Sequence, residues 1–309
     1  MENPPAISKG RHALLLNHLP QTKAAVGTAL RVKTQSEKAI ADTRAVPLQK
    51  GYKTPFFFLH GDWTGNAFFC FKLAHALGPD QPFYTLDTYN FDPYQVLPPL
   101  ETIAAEQLAV IRKVQAEGPY LLGGFCNGGL IVYEMARQLY SSGQKVDLLI
   151  LIDSIPPLYV RTRKMINLVS SLLHVNQEKQ LVWFLRLRHA ARHLVEHHPE
   201  VYDLIKTTDP RIDACFPPVE TLRKEFPSLF IWATAQYKPT FYPGKVTLFW
   251  DEAEPIRRRW WQRMAEGKDG EVEVHIIPGS HKTCRTEQME GMAECLQRCL
   301  LKVQRKQNN

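Results

Sequence analysis

One seven-residue segment limits the fold of this chain more than any other. Gly123-Gly124-Phe125-Cys126-Asn127-Gly128-Gly129 joins the apolar run that starts at Tyr120 to the amphipathic stretch from Leu130 to Tyr140. The spacing predicts a strand over 120–123, a tight turn, and a helix over 130–140. Side chains at positions 124 and 128 would strike neighbouring backbone in such a turn, so Gly124 and Gly128 are required there. The strained turn lifts Cys126 off the end of the strand. It also sets that side chain over the N-terminus of the following helix.

Segments of the same kind recur along the chain. A short, continuously apolar run at 55–60 suits a strand buried on both faces, and further strands are read at 82–86, 148–152, 246–250 and 272–277. Helical patterns lie between or after them at 66–77, 102–116, 130–140, 256–265 and 286–301. This alternation predicts an α/β fold with a mostly parallel central sheet flanked by helices. Sites in such sheets lie beyond the carboxyl ends of the strands. The alternation stops after Asp153. Residues 156–215 read as a mostly helical insertion over that end of the sheet, a lid, followed by a helix at 219–225 that could run on toward Tyr237. Residues 1–52 read as a partly helical or flexible arm, 53–303 as the folded domain, and 304–309 as a disordered tail.

Composition removes several classes of function. The 309 residues are 44% hydrophobic and 22% charged, as in a water-soluble globular domain. No apolar run is long enough to span a bilayer, and the first residues lack a secretory signal layout. The cytoplasm is therefore the expected location. The six cysteines show neither C-x-x-C pairs nor a disulfide framework. No metal site is expected. The net charge of +7 gathers partly in the arm, at Lys9, Arg11, Lys23, Arg31 and Lys33. This reads as a solvated arm, or as a surface for an acidic partner. No basic motif interleaved with aromatics suggests nucleic acid.

The turn has the form G-x-C-x-G, a nucleophile elbow with cysteine where serine is usual. Unpaired N–H groups and the helix dipole should favour a thiolate and lower the Cys126 pKa. The Asn127 N–H is then one oxyanion donor. A second is expected from the loop after the first apolar strand, at Asp62 in His60-Gly61-Asp62-Trp63. A histidine after the last strand should act as base, and His281 in Pro278-Gly279-Ser280-His281 fits. His275 lies inside the strand and suits packing better. Two acids end strands, Asp153 and Asp251, and either could fix the imidazole tautomer. His189, His193 and His197 recur at helical spacing in the lid and read as a solvated face, since no carboxylates complete a metal site. Leu181, Trp183, Phe184 and Leu187 either line an acyl tunnel or pack on the core.

The segments Gly118 to Cys126, Gly128-Gly129, Tyr133 to Leu139, Leu149 to Ser154, Tyr242 to Phe249 and Pro278 to His281 resemble the thioesterase domains of nonribosomal peptide and polyketide synthases, which have the α/β-hydrolase fold. The resemblance covers about residues 53–300. It is specific in the middle third, weak across the lid and absent from the first fifty residues. It favours Asp153, 27 positions after Cys126, as the acid. It implies an acyl or peptidyl group delivered as a thioester on a carrier protein's phosphopantetheine arm, with no other cofactor.

The chain shows no carrier, condensation or adenylation segment, so it is expected to act as a free-standing partner of its carrier. A cysteine nucleophile exchanges one thioester for another, which keeps the intermediate activated. Aminolysis or cyclisation then rivals hydrolysis as the release step. Two other functions fit less well: a Cys-His-Asp hydrolase of small esters or lactones, and a catalytically silent carrier-binding protein.

Overall fold

A computed structural model of the chain describes residues 45–61, 68–92, 94, 96–197, 217–251, 255–266 and 271–307. Seven strands form one sheet: β1 (Ala45–Gln49), β2 (Phe56–Leu59), β3 (Phe83–Leu86), β4 (Tyr120–Phe125), β5 (Val146–Ile152), β6 (Val246–Trp250) and β7 (Val272–Ile276), in the order β1-β3-β2-β4-β5-β6-β7. All neighbours are parallel except β1, which runs antiparallel to β3. This is the mostly parallel, helix-flanked α/β sheet that the alternation of apolar runs predicts.

The central strands β2, β4, β5 and β6 are mostly apolar on both faces because helices cover both faces. Phe57, Leu59, Leu122, Leu149, Leu151 and Leu248 enter one buried cluster, with Ile103 and Ile111 of α2 (Leu100–Arg112) and Val132 and Leu139 of α3 (Asn127–Ser141). Their chain neighbours Phe56, Phe58, Leu121, Ile150 and Phe249 enter the other. There they meet Phe69 and Leu73 of α1 (Phe68–Ala76) and Met292 and Leu296 of α9 (Met289–Gln307). Burying each such side chain contributes roughly 1.5–3 kcal/mol. The two-residue period therefore holds β4 and β5 firmly in register beneath the site.

The remaining helices are α4 (Val160–Leu172) and α5 (Gln177–His197), which fall within the stretch expected to form a lid, then α6 (Val219–Leu222), α7 (Phe226–Thr234) and α8 (Pro255–Glu266). Residues 198–215 of the expected lid, and the arm before residue 45, lie outside the described residues.

Three expectations need correction. The sheet begins inside the stretch assigned to the arm, because Ala45-Val-Pro-Leu-Gln49 forms the edge strand β1. A proline within the run masks this, yet an edge strand tolerates one. The final helix continues to Gln307 instead of ending before a disordered tail, and Gln304 is buried on it, donating to the Gln81 side chain. The helix at 219–225 does not continue toward Tyr237. A new helix starts at Phe226, with Pro227 in its first turn, where a missing N–H costs nothing.

Candidate active site

β4 delivers Cys126 to the carboxyl end of the sheet. The residue sits at φ 54° and ψ −116°, just before α3 begins at Asn127. A non-glycine residue at positive φ is strained, and such strain survives only where the surroundings dictate it. Here they do. A Cβ on Gly124 would lie 2.6 Å from the Gly128 carbonyl, and one on Gly128 would lie 2.1 Å from the Leu59 carbonyl oxygen. Two flanking residues tighten the elbow further. A Cβ on Gly129 would fall 1.6 Å from Ser154 Oγ, and one on Gly61 would fall 2.0 Å from the Phe125 carbonyl. Gly61 has φ 61°, and its carbonyl accepts a 3.0 Å hydrogen bond from Asn127 Nδ2. The loop after β2 is thereby pinned against the elbow. Asp62, the expected second donor on that loop, lies outside the described residues.

β5 ends beside β4 and carries Asp153. The Cys126 N–H donates to the Ile152 carbonyl at 2.9 Å, and the Asp153 N–H donates to the Phe249 carbonyl at 2.9 Å. Asp153 leaves the strand at φ 40° and is 1% exposed. Trp261 of α8 donates from Nε1 to the Ser154 carbonyl at 2.8 Å, fixing the chain as it leaves Asp153. Past β7, Gly279 takes φ 92° and turns the chain so that His281 Nδ1 meets Asp153 Oδ2 in a short hydrogen bond. Of the two acids open on sequence grounds, the geometry joins Asp153 to the imidazole. Asp251 is buried at the end of β6.

The His281 ring also stacks on Phe125, with centroids 4.9 Å apart and planes at 25°. The Arg285 guanidinium lies over the other partner in that stack, 5.6 Å from the Phe125 centroid. Sequence reasoning passed over Phe125, although its place beside the cysteine was the available signal. Gly129 and Ser154 were missed as a contact because only the fold brings them together.

The thiol corrects the electrostatic expectation. Cys126 is 2% exposed, and burial pushes its thiol up to about 12, with the charge of Asp153 acting the same way. The Asn127 N–H, Arg285 and Arg257 pull in the opposite direction and do not prevail. Desolvation of an anion outweighs one helix end here. Cys126 therefore rests as a neutral thiol.

His275 and His189 each meet a glutamate away from the elbow. His275 Nε2 lies 3.2 Å from Glu273 Oε1 and 3.8 Å from Cys299 Sγ. His189 is not simply solvated: its Nδ1 lies 3.0 Å from Glu225 Oε1, which ties the lid helix α5 to the turn before α7. The side chains of His193 and His197 lie outside the described residues. No cluster of three metal-ligating side chains occurs among the described residues, and no described helix is long and apolar enough to cross a membrane. Leu181 and Phe184 are buried in the core cluster, whereas Leu187 is exposed. A hollow of about 20 Å³ opens beside the elbow, between Gly61, Asn127, Phe226 and Phe230.

Comparison with known proteins follows from this geometry. A model of the thioesterase domain family matches residues 60–300. The chain is 37% identical over 151 residues to the non-reducing polyketide synthase crz7 of Cladonia metacorallifera, spanning 45% of this chain and 7% of that protein. It is 32% identical over 145 residues to a dimodular nonribosomal peptide synthase of Bacillus subtilis (strain 168), spanning 46% and 6%. The match thus spans only a small part of these relatives' length. Among solved structures, the NocB thioesterase domain from the nocardicin cluster superposes with a TM-score of 0.54 at 23% identity, covering 84% of this chain and 99% of that one. The Vlm2 thioesterase domain bound with a dodecadepsipeptide gives 0.56 at 19%, covering 84% and 98%. At these identities the likeness is one of fold.

Proposed function

The chain belongs to the thioesterase domain family, and from that premise we propose that it takes an acyl or peptidyl group from a carrier-bound thioester onto Cys126 and then releases it. One observation carries this reading. A cysteine held at positive φ on a strand-to-helix turn adjoins the strand end where Asp153 orients His281.

In the first step the Cys126 thiol attacks the thioester carbonyl. Its proton passes to His281 Nε2 as the sulfur–carbon bond forms, since a thiol pushed to about 12 carries almost no anion at neutral pH. Asp153 holds the Nδ1 proton and stabilises the imidazolium. The oxyanion is received by the Asn127 N–H at the start of α3. Collapse breaks the bond to the pantetheine sulfur, and His281 returns the proton to that leaving thiolate. Water, an amine or a hydroxyl of the acyl chain then attacks the Cys126 thioester as His281 takes its proton; collapse breaks the bond between the acyl carbon and the Cys126 sulfur, and His281 returns the proton to that thiolate, restoring the thiol. The original thioester and the enzyme thioester are close in energy, so the second step keeps its driving force.

Thiol release from an acyl-pantetheine thioester tests the reading. Native protein should turn over, while Cys126→Ala and His281→Ala should each fall by about a thousandfold or more. Turnover that survives Cys126→Ala would remove the cysteine from the mechanism.

A further inference from the structure

The helix after Asp153 carries a buried cation that has no counter-ion among the described residues. Arg163, on α4, is 5% exposed. Its guanidinium carbon lies over Trp232 of α7, 3.1 Å from the ring centroid. With the Gln236 amide oxygen turned toward it, Nε donates at 3.1 Å and Nη2 donates as well. Nη1 has no hydrogen-bond partner, and no carboxylate pairs with Arg163 among the described residues. Burial alone pushes the guanidinium down to about 9, so it stays charged at neutral pH. An arginine this deep is ordinarily paired, because an isolated buried charge is costly.

The orientation of α4 makes this burial a choice of the fold. Arg163, Ile166 and Ser170 point inward, while Met165, Leu168, Val169 and Leu172 are exposed. A helix driven by its apolar residues would present the opposite face. The cation therefore does not ride inward on a hydrophobic stripe. Thr162, the residue before Arg163, helps line a mostly apolar cavity of about 420 Å³ with Tyr159, Phe184, Leu187, Arg188 and Arg192. Tyr159, Phe184 and Trp232 form a run of ring contacts that ends at Arg163, with centroids 6.0 and 5.0 Å apart.

α7 relates this cluster to the elbow. Phe226 and Phe230 face the hollow beside Gly61 and Asn127, and Trp232 on the same helix faces Arg163. α4 itself follows directly on the segment that leaves Asp153. We infer that Arg163 is the recognition cation for a carboxylate carried at the far end of the acyl group, so that the preferred substrates are acidic acyl thioesters. The inference rests on the proposed function for its substrate, but the anion site itself does not depend on it. A phosphate of the pantetheine arm offers similar oxyanion chemistry, and the test separates the two sources.

The test uses pantetheine half-thioesters of straight-chain dicarboxylic acids, from succinyl to sebacyl, each beside its ω-methyl ester. Native protein should favour the free acid by about tenfold or more in kcat/KM at one chain length, as expected for hydrogen bonds to a charged group. Arg163→Met should erase that preference while leaving methyl-ester turnover intact, and Arg163→Lys should restore part of it. In parallel, monomethyl adipate should raise the Tm of the Cys126→Ala protein and leave Cys126→Ala/Arg163→Met unmoved. Turnover without acid preference overturns the anion site and leaves the thioesterase reading standing. Absent turnover with an Arg163-dependent Tm shift does the reverse. An Arg163-dependent shift with inorganic phosphate and not with the carboxylate overturns the inference.

Discussion

Alkylation of Cys126 should be slow and should accelerate with pH over an unusually wide range. Burial holds the thiol near about 12. At about pH 8 its thiolate fraction is then about 10⁻⁴, against roughly a quarter for an exposed thiol of pKa about 8.5. Since the thiolate is the reacting form, iodoacetamide should label Cys126 about a thousandfold more slowly than an exposed cysteine. The sign follows from the raised value: each pH unit below it adds about tenfold thiolate, so the rate should climb without levelling from about pH 7 to about pH 10. Restricted access lowers the absolute rate but not the pH at which the rate levels, so the profile reports the thiol itself. Peptide mass mapping resolves Cys126 from Cys284, which burial also pushes up to about 12 and which is 1% exposed. The two profiles should run parallel. A Cys126 profile that levels below about pH 8 would mean a preformed thiolate–imidazolium pair. That would refute the claim that desolvation outweighs the helix end.

Further predictions concern the elbow and its partners. Gly129→Ala places a Cβ 1.6 Å from the buried Ser154 Oγ and should cost about 1–3 kcal/mol in urea unfolding. Adding Ser154→Gly should recover part of that loss, and a strictly additive double variant would show that the two do not collide. Asp153→Asn should lower acyl transfer by about 10²–10⁴-fold, whereas Asp251→Asn should stay within about tenfold of native. Equal losses would mean that both carboxylates serve the imidazole. Cys126→Ser should shift products toward a slowly resolved ester or toward hydrolysis, read by product mass; an unchanged ratio would show that thioester chemistry does not set the acceptor.

The sheet and the elbow were legible because their causes are local. β2, β4 and β5 are runs of apolar residues that cannot be left in water, and Gly124 and Gly128 announce a turn that excludes Cβ atoms. His281 was legible from its place after the last strand. The choice between Asp153 and Asp251 was not, because both end strands, and only the pairing of β5 with β4 and the turn at Gly279 bring one of them to the imidazole. The direction of the Cys126 shift was misread for a related reason. A helix N-terminus can be seen in a sequence, but how deeply a thiol is covered cannot. The lid was least legible. α4 turns Arg163 inward and Leu168 outward, against the rule by which periodicity is read, and that inversion is itself the clue to a binding role. The edge strand β1 escaped notice because Pro47 interrupts a pattern too short to stand alone.

Intact mass spectrometry tests the central claim most directly. The protein is mixed with octanoyl-pantetheine beside its Cys126→Ala variant, and both are quenched in acid. An octanoyl adduct on the native protein and none on the variant is the expected result, and it establishes acyl transfer to Cys126. No adduct and no released thiol, or the same adduct on both proteins, would contradict covalent catalysis at this cysteine.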